Sequence, residues 1–332
     1  MPAKNTCINL GLLAATTILF FGGIEVALRV TGLQTVKPNP PQIYQQSEDE
    51  RISYELIPNI SRKAYRQTVT TNSLGFRSAE LDAEKPTIVM LGDSIAFGYG
   101  VADDETLAAQ LAEHMPEYNV LNTAAPGYHL GMQKAVYETK LQQLDPVMLM
   151  LVFHYNDFEP QTGWLDDTGI IRAPDWTPTD PECSPVTQGL LGLLPGKCWL
   201  DLHSAFYKAT KKVVNMRYAK EALTESREEE VQEQPEDTIT DAQMRRYLSQ
   251  LDALIAVLPQ DMPKVFAIWP DRFLHTQSRA TLTAAVEQRG FYVIDLYSAF
   301  GNEVEILGWD TVHPSANAVR EAAAVIANEL QL

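Results

Sequence analysis

Thr87-Ile-Val-Met-Leu-Gly-Asp-Ser94 decides the fold. Five residues with no polar alternation run straight into a Gly-Asp-Ser turn. Such a run, ended by glycine, predicts a strand buried on both faces rather than a half-solvated one. The same rhythm continues on either side of a long central segment. Helical spacing spans Asp104–Met115 and Leu130–Leu144, around a short strand at Asn119–Asn122. Val147–Phe153 is a second continuous apolar strand. Beyond the central segment come strands at Lys264–Trp269 and Phe291–Leu296 and helices at Ser278–Arg289 and Ser315–Leu330. Apolar strands alternating with helices imply a parallel sheet covered on both faces, a three-layer α/β/α domain.

The 332 residues carry 26 Lys plus Arg against 43 Asp plus Glu, a formal net charge of −17. No basic stripe reverses that sign locally, so nucleic acid is not an expected partner. Three cysteines, Cys7, Cys183 and Cys198, exclude a disulfide-built scaffold. Cys183 and Cys198 share one loop-like segment, and closing a loop of that size contributes roughly 3 kcal/mol in the chain-entropy model. A Cys183–Cys198 bridge is expected, which requires an oxidising compartment.

From Cys7 to Val30 the chain is apolar for most of a membrane-spanning length, with Lys4 ahead of it and Glu25–Arg29 beginning an amphipathic turn. Residues 1–32 are expected to be an uncleaved signal anchor, residues 33–84 a linker and irregular extension, and residues 85–332 the main domain. The expected location is the plasma (inner) membrane, single-pass, with the main domain on the periplasmic or extracellular side. An insertion occupies about residues 156–259, with a helical stretch at Leu202–Ala219 and a helix near Thr240–Val257. Between them, residues 221–241 hold nine acidic side chains and only Arg227 against them. Such a run is by default a solvated connection.

Ser94 closes the first strand, where open α/β sheets bind ligands. There its Oγ can act as a nucleophile and its backbone N–H can face an oxyanion. Asp310-Thr-Val-His313 supplies the partner. A carboxylate three residues before an imidazole can hold the ring by Nδ1 and leave Nε2 free as base. Gly127, after the second strand, offers an unobstructed N–H, and Asn156, after the third, offers its Nδ2. The oxyanion hole is thus expected from Ser94, Gly127 and Asn156, with Asp93, His154 and Asp157 lining the cleft.

Together these four blocks resemble the SGNH, or GDSL-type, hydrolase family. Ser94 in Gly-Asp-Ser matches the nucleophile block, Gly127 the glycine block and Asn156-Asp157 the asparagine block. Asp310-x-x-His313 matches the histidine block. Thr71-Asn72-Ser-Leu-Gly75-Phe-Arg77 also resembles membrane-anchored bacterial members. The resemblance implies an SGNH hydrolase fold, with a parallel sheet of flavodoxin-like order, and an acyl-serine ester hydrolase. It also implies substrates such as acetyl or other short-acyl esters of carbohydrates, or lipid esters. An acyltransferase of the same fold and a non-catalytic envelope scaffold are the alternatives. One position departs from the pattern: the asparagine block is usually Gly-x-Asn-Asp, and here His154 holds the glycine position.

HExxH, GxGxxG and GxxxxGK[ST] are absent, so neither a metal nor any other cofactor is expected. Gly98-Tyr-Gly100 reads only as a turn. His114 reads as exposed. His129 and His275 fall near strand ends, with no carboxylate partner at useful spacing.

Overall fold

The computed structural model describes residues 2–36, 40–159, 163–177, 192–218 and 239–330. The chain forms two compact units, Met1–Asn39 with Thr177–Ala222 and Pro40–Trp176 with Leu223–Leu332.

The larger unit opens with two antiparallel hairpins. One pairs β1 (Tyr44–Gln46) with β2 (Tyr54–Leu56), the other β3 (Ser61–Ala64) with β4 (Gln67–Thr70). These strands belong to the stretch expected as linker and extension. Ile43, Ile52, Tyr54, Val69 and Phe76 within it are nevertheless buried in the main core. The sheet itself comprises β5 (Thr87–Leu91), β6 (Asn119–Asn122) and β7 (Met148–Phe153). The small antiparallel pair β8 (Trp164–Leu165) and β9 (Ile171–Arg172) lies apart from it. β10 (Lys264–Ile268) and β11 (Tyr292–Asp295) complete the sheet. Its order is β6-β5-β7-β10-β11, and every neighbouring pair is parallel.

Numbered among themselves, the five strands run 2-1-3-4-5, the flavodoxin-like order. The connections leaving β5 and β7 depart to opposite faces, which opens a crevice at the carboxyl ends of these two strands. All of β5 is buried, as is all of β7 after Met148. Helices on both faces leave no solvated side for polar alternation.

One helical layer brings Leu107–His114 against Ala316–Leu330; the other joins Leu130–Val136, Asp241–Ile255 and Thr276–Glu287. Asp241–Ile255 buries Met244, Tyr247, Leu251 and Leu254 along one stripe and starts at a capping box, Thr240 with Gln243. The helix expected over Leu130–Leu144 is regular only to Val136. It then passes through a π-turn (Tyr137–Leu141) and a 3₁₀ turn (Gln142–Leu144).

In the smaller unit, the helix Pro2–Thr31 contains a stretch, Ile8–Thr31, long and apolar enough to cross a membrane. The helical stretch expected at Leu202–Ala219 is two helices, Lys197–His203 and residues 205–218. They break at Ser204, whose backbone is extended and whose Oγ accepts the Tyr207 N–H at 3.1 Å. Glu25 completes that cap. Its carboxylate accepts the N–H groups of Ala205 and Phe206, both at 2.8 Å, and the Ser204 hydroxyl at 3.0 Å. It also accepts Arg29 Nε at 2.7 Å. A carboxylate on an apolar helix is costly unless its acceptor sites are filled, and here they are filled by the orphan donors of another helix. Cys198 is disulfide-bonded. Its expected partner, Cys183, lies outside the described residues.

Glu25→Ala removes the cap. Loss of an N-cap costs about 0.5–2 kcal/mol, so the Ala205 and Phe206 amides should exchange hydrogen roughly 2- to 30-fold faster. Unchanged exchange at both amides would show that the carboxylate does not hold this helix.

Candidate active site

The site grows from the turn after β5. Gly92 ends the strand, and Asp93 caps the short helix Ser94–Phe97 through Oδ1, which accepts the Ile95 N–H at 2.8 Å. Its other oxygen, Oδ2, accepts Asn156 Nδ2 at 2.8 Å and the Ser94 hydroxyl at 3.4 Å. One buried carboxylate therefore joins the ends of β5 and β7. It also leaves the second amide hydrogen of Asn156 outside that bond.

The loop after Phe97 is clamped by Arg77, from the Asn72–Arg77 segment. Its guanidinium is buried and donates to Gly98 O at 2.6 Å and Val101 O at 2.8 Å, and pairs with Asp103 at 2.8 Å. Gly100, at φ 82°, packs so tightly on Leu307 and Trp309 that a side chain there would clash. The turn therefore lies against the segment that carries His313, and Tyr99 stacks on the imidazole, with centroids 4.0 Å apart and planes 21° apart. The sequence reading took Tyr99 as part of a plain turn. The glycines flanking it were the available signal, but nothing in the sequence indicated what it would stack on.

His313 Nε2 lies 2.9 Å from Ser94 Oγ. Asp310 Oδ2 lies 3.0 Å from His313 Nδ1, approaching obliquely to the ring N–H. The other oxygen, Oδ1, accepts the N–H groups of Val312 at 2.7 Å and His313 at 2.9 Å. Burial works to raise the Asp310 pKa. The hydrogen bonds from His313 and Val312 outweigh it and hold the group at about 2.

Gly127 adopts φ 82°, and a Cβ there would meet the Tyr54 hydroxyl at 2.6 Å, so both backbone and space demand glycine. That hydroxyl donates to Pro126 O at 2.6 Å, fixing the turn that presents Gly127. His154 is buried and caps the 3₁₀ turn Tyr155–Phe158, its Nδ1 accepting the Asn156 N–H at 3.3 Å. Its own N–H donates to Asp157 at 3.1 Å. Burial, with the Asp93 charge nearby, pushes the Asp157 carboxyl well above its ordinary range.

Asp93, Ser94, Gly127, His129, Asn156 and Asp157 line a cavity of about 310 Å³. A second, of about 490 Å³, shares Asn156 and is bordered by His154, Asp271, Arg272, His275 and Val312. His154 thus lines the second cleft rather than the first. A larger cavity of about 670 Å³ contains none of the expected site residues. The reading of His275 needs correction, because it does have a carboxylate partner. Its left-handed backbone (φ 48°) turns the ring back so that Nε2 lies 3.1 Å from Asp271, and the ring stacks on Tyr155 at 3.6 Å. Among the described residues, no group of three His, Cys, Asp or Glu side chains is arranged to hold a metal ion.

Asp310→Asn should lower the melting temperature at about pH 7, and the deficit should close on acidification. A carboxyl held below its unfolded value of about 3.9 contributes fully above that value. Its contribution is lost as pH falls through the folded value of about 2. Thermal melts of both proteins between about pH 2 and pH 7 check this, and a deficit independent of pH would contradict it.

No family model and no curated protein matches the chain. Solved structures to which the chain is similar include a member of the lipolytic protein G-D-S-L family from Veillonella parvula. It is 12% identical, with TM-score 0.41, covering 74% of this chain and 98% of that one. A lipase/acylhydrolase from Enterococcus faecalis is 14% identical, with TM-score 0.41, over 74% of this chain and 95% of that one. A catalytic mutant of an acetylxylan esterase from Geobacillus stearothermophilus is 15% identical, with TM-score 0.40, over 74% and 94%. In its sheet order, in Ser94, Gly127 and Asn156 after the strands and in the Asp310–His313 pair ahead of the last helix, the chain resembles the SGNH/GDSL-type hydrolases.

Proposed function

We propose that this protein is an ester hydrolase of the SGNH type, acting through an acyl-serine intermediate. The observation that carries the reading is the set Ser94 Oγ, His313 Nε2 at 2.9 Å and Asp310 at 3.0 Å from Nδ1, at the mouth of the sheet crevice. Ser94 Oγ attacks the ester carbonyl while His313 Nε2 takes its proton. The oxyanion that forms faces the N–H groups of Ser94 and Gly127 and the free amide hydrogen of Asn156. Collapse of this intermediate breaks the bond to the leaving alcohol, which takes the proton back from His313. Water then attacks the acyl-serine with His313 again as base, releasing the acid and restoring Ser94. Asp310 holds the ring and balances its charge when it is protonated.

Polar and charged side chains dominate the Ser94 cavity and supply much of the lining of its neighbour. The carboxyl groups of Asp93, Asp157 and Glu159 and the amide of Asn156 around Ser94 favour a short acyl group on a hydroxylated alcohol such as a carbohydrate. The apolar helix Pro2–Thr31 supports a single-pass membrane anchor. The disulfide at Cys198 supports a catalytic unit on the outer side of the plasma membrane, where disulfides persist. An acylated envelope glycan is then the substrate class within reach.

Fluorophosphonate labelling with peptide mapping, followed by an ester panel of increasing acyl length, tests the reading. Label is expected on Ser94, with turnover highest for acetyl esters. Ser94→Ala should lose roughly 10³-fold or more in kcat while remaining folded. Failure of Ser94 to label would return the chain to the scaffold alternative, and turnover only with an added sugar acceptor would make it a transferase. Asn156→Ala should lower kcat by roughly 10²–10³ with little change in KM. A defect confined to KM would show that the amide binds substrate instead of the developing charge.

A further inference from the structure

Outside the catalytic unit, residues 192–218 combine three features. Leu193, Trp199 and Val213 are 80%, 61% and 70% exposed, and Leu194, Leu202 and Tyr218 are exposed with them. Six exposed large apolar side chains within one short segment are the kind of surface that a membrane or a partner covers. The same residues include Lys197, Lys208, Lys211, Lys212 and Arg217 against Asp201 alone, inside a chain of net charge −17. And the segment is fastened to the apolar N-terminal helix at a defined level.

That level follows from contacts within the smaller unit. Glu25 caps residues 205–218, Phe21 packs on Phe206 with ring centroids 5.3 Å apart, and Arg29 Nη2 donates to His203 O at 2.6 Å. The ring of His203 in turn stacks on Trp199 at 4.7 Å. A hydrocarbon core of about 30 Å takes up about 20 helical residues. With Ile8 at one boundary, the other boundary falls near Ala27. Phe21, Glu25 and Arg29 therefore straddle it, and Trp199 sits at the depth where indole side chains concentrate, between acyl chains and headgroups. Trp199 with leucines among lysines is the composition of a helix that lies in a membrane interface.

We propose that residues 192–218 form a membrane-interface element. They lie in the headgroup and upper acyl layer of the leaflet in which helix Pro2–Thr31 ends, with Trp199 as the interfacial anchor. The inference rests on the membrane-anchor reading above, and its occupant is the phospholipid surface itself. Glu25 has a defined part in it: by capping residues 205–218 it sets how deep the element sits.

The test uses the full chain reconstituted in phosphatidylcholine and phosphatidylglycerol vesicles, with or without phosphatidylcholine brominated near the headgroup. Subtracting the emission of Trp199→Phe from that of the unaltered protein isolates Trp199. Its emission should be blue-shifted, lose most of its intensity in brominated vesicles and resist aqueous iodide. Val213→Trp in the Trp199→Phe background should behave the same way. Flotation with the vesicles reports the anchor separately. Protein that floats while iodide, not bromolipid, quenches Trp199 would overturn the inference alone. Protection from both quenchers would also overturn it, by showing a protein contact on that face. Protein that fails to float would remove the anchor and the inference together.

Discussion

The carboxylate of Asp93 is the constraint on which the site depends. One oxygen caps the helix that starts at Ser94, and the other binds the Asn156 side chain at the end of the next strand in space. A buried charge survives only where its acceptor sites are filled, so both strand ends must arrive together for either to be stable. The parallel β5–β7 ladder brings them within reach, and Asp93 fixes their relative position to hydrogen-bond precision. Asp157, close by, is pushed towards its neutral form by its own burial, and the Asp93 charge adds to the push.

Around this point the stretch that precedes the sheet works as scaffolding. Arg77 holds the carbonyls of the loop after the Ser94 helix, and Tyr54 holds the carbonyl before Gly127. Two of the strand-end loops that meet at the crevice are thus each held by a side chain from a segment that precedes the sheet in sequence. Arg77 is suited to this because its planar, always-charged fork can serve several carbonyls and a carboxylate at once. Tyr54 is suited because its ring fills core space while its hydroxyl reaches a backbone oxygen.

Much of this was legible in the chain before any coordinates. Continuous apolar runs such as Thr87–Leu91 and Met148–Phe153 specify strands covered on both faces, and their alternation with helices specifies a parallel sheet. Local chemistry was equally plain where the partners are close in sequence, as with Asp310 and His313, three residues apart, or the Gly-Asp-Ser turn. These features depend on neighbours within a few positions, which periodicity and spacing can express.

Only the tertiary structure decided the contacts between distant segments. Tyr99 on His313, Arg77 on Gly98 and Val101, Tyr54 beneath Gly127 and Glu25 on Ala205 each join residues whose separation in sequence says nothing about their meeting. His275 with Asp271 is the local exception: four residues apart, they meet across a turn in which His275 takes a left-handed backbone. The physical reason is general. A strand or a turn follows from the chemistry of a short window, whereas a stacked ring or a capped helix end exists only after packing has removed water and brought remote groups into one place.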